Sequence, residues 1–403
     1  MLIQTRFTND VSFYLFVLLL FFGDRISASS NRHSPKVSMN SPGNFILVWE
    51  QGENIYARYY DKDIRRGSDV FKVSTTEGEN LHPVVAIDDH NTVYIAWENK
   101  VNQKFRIYFR CVKNGIQTIG ESIDVTKQNI PGNQFRPGIA ISQSGALLIV
   151  WVDYRHKNPD IYGQFYDSTL NKIGLNFKIN DDTTSAIQAF PTVTAAGNKF
   201  VVAWEDHRDP YAFIFGQVIA GDGRKIGQNF KVNDTQRGSS WQAFASVALR
   251  ETGEFIIAWK DYRNGDSDIY AQSFDQNNRK SGNNIRVNDD NGPGWQRLPS
   301  IAVNNQGNSI IVWEDYRNDS HRNQTGDIYA QRFDAAFNPI GENFKVNHSP
   351  EPSGQMMPAS SMDDNNHAVI VWEDHRGGQH PEVFLQYLSD FNMLPNDLEL
   401  GNN

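Results

Sequence analysis

Short apolar runs that end in tryptophan punctuate this chain. Ile310-Ile311-Val312-Trp313 is one of them, apolar at every position, as a strand sandwiched between neighbouring sheets must be. The tryptophan returns as Trp49, Trp97, Trp151, Trp204, Trp259, Trp313 and Trp372, at spacings of 48, 54, 53, 55, 54 and 59 residues. A near-constant period of this size marks a repeat fold. Each run is preceded by a short segment of small residues that follows Pro35, Pro83, Pro137, Pro191, Pro299 or Pro358, with Ala245 in the remaining unit. Turns such as Asn304-Asn305-Gln306-Gly307 join the two segments and supply the residues that tight hairpins favour. A third segment, Asp268-Ile269-Tyr270-Ala271-Gln272-Ser273-Phe274 in the fifth unit, is rich in strand formers. In the fourth, apolar residues alternate with lysine, as in Phe177-Lys178-Ile179-Asn180, Phe230-Lys231-Val232-Asn233 and Phe344-Lys345-Val346-Asn347. One face is buried, the other is wet, and a charge guards the edge against pairing with other chains.

A small inner strand, buried middle strands and a charged outer strand describe one blade of a β-propeller. The expected fold is therefore all-β, a seven-bladed β-propeller with four antiparallel strands per blade over residues 35–403. Units fall at about 35–82, 83–136, 137–190, 191–244, 245–298, 299–357 and 358–403, with Asp397-Leu398-Glu399-Leu400 as the last outer strand. A β-solenoid is the alternative, but its coils are usually shorter and carry no polar-edged fourth strand. The pattern resembles the TolB-like, WD-repeat-like propeller repeats of exported bacterial proteins. The matching residues are Asn40-Ser41-Pro42-Gly43 at a turn, Asp261-Tyr262-Arg263 at the next step and Asp268-Ile269-Tyr270 in the strand. That family ranges from binding proteins to propellers attached to hydrolases, so the resemblance implies a scaffold and no particular activity.

Residues 1 to about 28 read as an export signal, with Arg6 ahead of a 13-residue apolar run from Val11 to Gly23 and small residues Ser27 to Ser30 at a cleavage point. The run is shorter than the roughly 20 residues a spanning helix needs, so no stable membrane insertion is expected, and the mature chain should be secreted, periplasmic or on the cell surface. A formal net charge of −9 argues against nucleic acid as a partner. Cys111 is the only cysteine, which excludes an intrachain disulfide and any two-cysteine motif. Oligomeric state is not legible.

Asp-X-Arg follows the tryptophan as Asp153/Arg155, Asp206/Arg208, Asp261/Arg263, Asp315/Arg317 and Asp374/Arg376. A catalytic constellation is needed once and a clamp in every blade, so the repetition favours a structural clamp. The loops joining strands two and three share one face of the ring with those joining strand four to the next blade, and this is the expected ligand face. Gln134, Gln188, Gln242, Gln296 and Gln355 recur there, either to bind a polar ligand or to cap backbone groups. Trp241 and Trp295 are not repeated, and aromatic rings beside amides and arginine suit a sugar or a peptide side chain. The expectation is an exported, non-enzymatic binding propeller for a glycan or a protein, contacting it through Trp241, Gln242, Trp295, Gln296, Arg263 and Arg317.

The alternative is a sialidase-like glycoside hydrolase. Phe135-Arg136-Pro137 resembles part of that family's Phe-Arg-Ile-Pro signature, although the segment also falls on a unit boundary, and Glu314 and Glu373 are among several carboxylates near the rim. No cofactor is expected, with calcium at Asp261, Asp266 and Asp268 as a weak option because hard oxygen ligands surround Gly265. Histidines occur singly and show no zinc spacing. Asn233, Asn318, Asn323 and Asn347 begin glycosylation triplets.

Overall fold

The computed structural model describes residues 32–62, 67–126, 130–209, 211–234, 240–292, 294–319, 325–348, 353–376 and 381–389. The expected export signal, the last outer strand and Asn323 lie outside them. The chain forms a seven-bladed β-propeller of antiparallel sheets with no helix among the described residues. Each blade is built from consecutive strands, four in blades 1 to 6 and three among the described residues of blade 7. The innermost strands are Arg32–Met39, Glu79–Ile87, Gln134–Ile141, Gln188–Ala196, Gln242–Leu249, Gln296–Val303 and Gln355–Met362.

The apolar runs become the second strands, and all seven tryptophans are at most 3% exposed. Each packs between its own blade and the preceding one: Trp151 joins Ile107 and Phe109 of blade 2, and Trp49 joins Val369 and Val371 of blade 7. The second contact closes the ring by packing alone, helped by Met39 N–H donating to Ser361 Oγ at 2.9 Å. A buried indole needs a partner for its N–H. In blades 3 to 7 the aspartate two residues on accepts it, at 2.7–3.3 Å. Blades 1 and 2 lack that aspartate, and Gln51 and Asn80 accept instead, at 3.2 and 2.8 Å.

One departure from regular pairing recurs in every blade. His33 pairs with Glu50 and Lys36 with Val48, so three steps along the inner strand match two along its neighbour. This is a bulge of one extra residue, which bends a strand and re-aims side chains. The residue before each proline, or before Ala245, takes up the extra length in the left-handed region. These are Ser34, His82, Arg136, Phe190, Phe244, Leu298 and Met357, with φ between 49° and 55°. None is glycine, so each holds a backbone conformation costing roughly 1 kcal/mol, and seven such residues at equivalent places are a built feature.

Candidate functional site

The seven bulge residues come together around the axis. Arg136 lies over the Phe190 ring at 5.3 Å, Phe190 meets Phe244 edge to face at 5.1 Å, and Ser34 Oγ approaches Met357 Sδ at 3.9 Å across the closure. They form a floor at the end of the channel that carries the loops between strands two and three. An arc of Phe190, Phe244, Leu298 and Met357 is apolar, and an arc of Ser34, His82 and Arg136 is polar. At the opposite end a cavity of about 900 Å³ is lined by inner strands and by hairpins such as Asn40-Ser41 and Gln143-Ser144. Acidic groups there serve the hairpins: Asp89 accepts Ser41 N–H and Asp364 accepts Asn305 N–H.

Behind the floor stands a ring of buried carboxylates, each the residue after a tryptophan. Glu50, Glu98, Glu205, Glu314 and Glu373 are at most 9% exposed. Each offers Oε1 to the backbone N–H of the left-handed residue in the next blade: His82, Arg136, Phe244, Met357 and Ser34, at 2.6–2.8 Å. A charged acceptor makes this a strong hydrogen bond and helps to hold the strained residue. Blades 3 and 5 carry Val152 and Lys260 in that place, so Phe190 and Leu298 keep the conformation without it.

The second oxygens differ from blade to blade. Glu314 Oε2 accepts the Tyr316 hydroxyl at 3.3 Å and lies 3.4 Å from Arg297 Nε, with the Arg297 guanidinium over the Tyr316 ring. Glu373 Oε2 lies 3.5 Å from His33 and 3.7 Å from His375. Glu98 lies 3.1 Å from His82, and Glu205 lies 3.7 Å from His207. Burial pushes the Glu314 carboxyl up, aided by the charge of Glu373 and only partly opposed by Arg297. Burial pushes Glu373 the same way, but hydrogen bonds from His33, His375 and Ser34 N–H outweigh it and hold this carboxyl down at about 2. Two carboxylates in adjacent blades are thus driven apart, one toward the acid and one toward the anion.

The residues singled out in the sequence occupy the rim outside this floor. Asp-X-Arg is a clamp. Arg317 donates its backbone N–H to Asp315 Oδ1 and its guanidinium to Oδ2, at 2.8 Å each, and reaches Asp289 in the loop from blade 5 at 2.9 Å. Arg263 does the same with Asp261 and with Asp234 of the preceding loop. Gln242 and Gln296 are at most 1% exposed and accept Asn233 and Asn288 side-chain N–H at 3.2 Å, so they link blades and offer a ligand no surface. Trp241 and Trp295 are half-buried; their carbonyls accept Tyr262 and Tyr316 N–H, and the Trp241 ring meets His207 edge to face.

The calcium option is corrected by charge balance. Asp261 is neutralised by Arg263 and Asp268 by Arg286, at 2.7 and 3.0 Å, while Asp266 is exposed. Among the described residues no group of three His, Cys, Asp or Glu is placed to hold a metal ion. The glycosylation reading is corrected at Asn233 and Asn347, which are at most 1% exposed and donate their amide N–H to Gln242 and Gln355.

No family model matches the chain, and no curated protein does. Solved structures share its fold. An ulvan lyase, described as a new polysaccharide lyase family and bound to -[GlcA(1-4)Rha3S]-, is 11% identical with a TM-score of 0.60, over 89% of this chain and 94% of its own. A second polysaccharide lyase is 9% identical with a TM-score of 0.59, over 93% and 95%. An α-L-arabinanase of Penicillium chrysogenum, complexed with arabinobiose, is 13% identical with a TM-score of 0.50, over 78% and 94%. These three propellers are described as polysaccharide lyases and an arabinanase, and a further match, from Dyadobacter fermentans, 11% identical with a TM-score of 0.52 over 78% and 96%, is of unknown function. That finding corrects the expectation of a non-enzymatic binding module, and the catalytic alternative is the one carried forward.

Proposed function

We propose that this chain is an exported carbohydrate-active enzyme that cleaves glycosidic bonds at the floor of its loop face. The observation that carries the reading is the divergence of Glu314 and Glu373, since groups whose surroundings push their pKa values apart are the usual acid and base of a site. Glycan cleavage needs such a pair, one group to protonate the leaving oxygen and one to accept a proton. Glu314, whose carboxyl burial raises, supplies the first. Glu373, held down between the half-buried His33 and His375, supplies the second. The apolar arc gives a sugar ring a flat surface, and the polysaccharide-cleaving propellers of the same fold support the class of substrate. The TolB-like pattern accounts for the repeat unit and adds nothing to the chemistry. Export rests on the apolar run at the N-terminus.

The test uses the repetition as its own control. Replacing Glu by Gln keeps an oxygen for the backbone N–H and removes the acid. Glu314→Gln and Glu373→Gln are expected to abolish release of reducing ends from polysaccharides, while Glu205→Gln, at the equivalent position of blade 4, leaves it intact. New reducing ends alone indicate hydrolysis, and reducing ends with an unsaturated, ultraviolet-absorbing ring indicate elimination. Full turnover in both Glu314→Gln and Glu373→Gln would overturn the assignment.

A further inference from the structure

Three residues ahead of the left-handed floor residue lies a position that the blades share in backbone and not in side chain. In blades 3 to 7 its carbonyl accepts the N–H of the residue after the clamp aspartate: Asn133 from Tyr154, Ile187 from His207, Trp241 from Tyr262, Trp295 from Tyr316 and Gly354 from His375, at 2.9–3.1 Å. Blade 2 has Glu79 there. Large apolar side chains occupy the position in blades 4, 5 and 6, and the same blades carry Phe190, Phe244 and Leu298 on the floor. Two separate rings of positions thus turn apolar over one sector. Glu79, Asn133 and Gly354 give blades 2, 3 and 7 no such surface.

Contacts run through this sector from Glu314 outward. Glu314 accepts the Tyr316 hydroxyl at 3.3 Å, and Tyr316 N–H bonds the Trp295 carbonyl at 2.9 Å. Phe244 meets Phe190 edge to face at 5.1 Å and gives its N–H to Glu205, which lies 3.7 Å from His207. The His207 ring in turn meets the half-buried Trp241 ring edge to face at 5.1 Å. At the outer end, Ile187 is 43% exposed, and Tyr211, in the same loop as His207, is 37% exposed. Large apolar side chains left in water beside a concave site mark a surface that binds something.

We infer that this sector is an extended track for the polysaccharide, in which sugars beyond the cleaved bond lie over Trp295, Trp241 and Ile187, so that the enzyme cuts inside long chains. The inference rests on the glycan-cleaving reading above and names the mode of attack and the length of chain recognised. The occupant follows from continuity. A polymer whose cleaved bond lies at Glu314 has to leave the floor, and over blades 4 to 6 it meets apolar faces. Sugars present C–H faces and hydroxyl edges, so they pack on an indole while a hydroxyl bonds a group such as the half-buried His207. A track whose outer end is exposed takes the middle of a chain, whereas a closed pocket would take only its end.

The experiment uses arabinan, alginate and carrageenan, each as polymer and as trimer, with the full chain. Binding is read by gel retardation in the Glu314→Gln background, where the polymer stays intact, and cleavage by reducing ends and viscosity with Glu314 in place. On the polymer that is cut, viscosity is expected to collapse while few reducing ends have formed, the mark of internal cleavage. Trp241→Ala and Trp295→Ala should each weaken polymer binding and raise KM by about tenfold with little change in kcat, the worth of one stacked ring. Trp241→Phe should keep most of both. The trimer, too short to reach the outer track, should lose less than the polymer. Melting temperatures check the folding of the tryptophan variants, and Ile187→Ser, at an exposed position, should repeat the effect in smaller size. Polymer binding that is lost in the tryptophan variants, with no turnover of any polymer, upholds the track and fails the catalytic reading. Turnover with KM unchanged in both variants, or release of single sugars from chain ends, overturns the track and leaves catalysis standing. Neither binding nor turnover of any of these polymers overturns both.

Discussion

The rim and the floor of the loop face are built by opposite uses of repetition. At the rim both backbone and side chains repeat: tryptophan, aspartate and arginine form the same bonded set in five blades, and every charge is answered. At the floor only the backbone repeats. Seven left-handed residues occupy one conformation with five other side-chain types besides the repeated phenylalanine, and the carboxylates behind them meet different partners. Identical residues in a ring can only clamp. A site that binds an asymmetric chain and moves a proton in one direction needs blades that differ, and a repeated backbone lets them differ without altering the frame.

The largest expected effect separates the two carboxylate roles. Glu314→Gln and Glu373→Gln should lower kcat on the preferred polymer by about 10³-fold, within the range for losing a general acid or base. Glu205→Gln should change it less than about twofold while shifting stability comparably. Equal loss in all three variants would mean that the carboxylates act only by holding the floor.

Rim substitutions should affect stability and spare the chemistry. Asp315→Ala strands the Trp313 N–H and the Arg317 guanidinium together, and breaking a buried pair by removing one partner costs about 3–5 kcal/mol. Arg317→Lys keeps the charge but cannot span Asp315 and Asp289 at once, for a loss of about 1 kcal/mol. Chemical denaturation measures both, and unchanged stability with lost turnover would move the clamp into the site.

Glu373 gives the floor a dependence on pH. Its folded pKa of about 2 lies below the ordinary 4.5, so its stabilisation is complete above the ordinary value and is lost as pH falls from there toward 2. The size is about 3 kcal/mol. His33, raised by the same contact, adds stability below its ordinary 6.5 that fades as pH rises through its folded value. Glu314 is raised, so its own contribution weakens as pH climbs above 4.5. Stability measured against pH should therefore lose part of its acid limb in Glu373→Gln, the lowered Glu98 and Asp374 supplying the rest, and keep it whole in Glu205→Gln.

The sequence made the rim legible and left the floor hidden, for a geometric reason. Tryptophans at a fixed period, apolar runs and lysine-alternating edges state the blade directly, and Asp-X-Arg repeats too often to be a catalyst. The bulge adds one residue to a strand whose alternation is only a few residues long, so the pattern resumes without an evident fault. Its signal was the proline in each unit; the residue before it varies, and Arg136 passed as a unit boundary. Glu314 and Glu373 stood out only as carboxylates near the rim. What divides them is Arg297 on one side and His33 on the other, and the bond from Ser34 to Glu373 joins residues 339 apart in the chain. The glutamines misled because an amide at a loop start reads alike whether it faces solvent or, as Gln242 does, a neighbouring asparagine.

The smallest expected effect tests whether the floor's backbone is independent of its side chains. Leu298 holds φ at 50° with no glutamate in the preceding blade to accept its N–H, since Lys260 stands there. Leu298→Gly and Leu298→Ala remove nearly the same contacts, so their difference reports the backbone. In an ordinary strand alanine is the more stable of the two by roughly 0.5–1 kcal/mol, because glycine loses more freedom on folding. In the left-handed region alanine meets the carbonyl clash that glycine escapes, worth about 1–2 kcal/mol, and the order should reverse. The glycine variant is expected to be more stable than the alanine variant by up to about 1 kcal/mol in denaturant melts. The same pair at Phe244, whose N–H is held by Glu205, should show the same order, because the carboxylate bonds the backbone and not the side chain. Alanine equal to or better than glycine at both positions would mean that the left-handed turn is not imposed by the bulge, and the frame on which the seven blades vary would lose its basis.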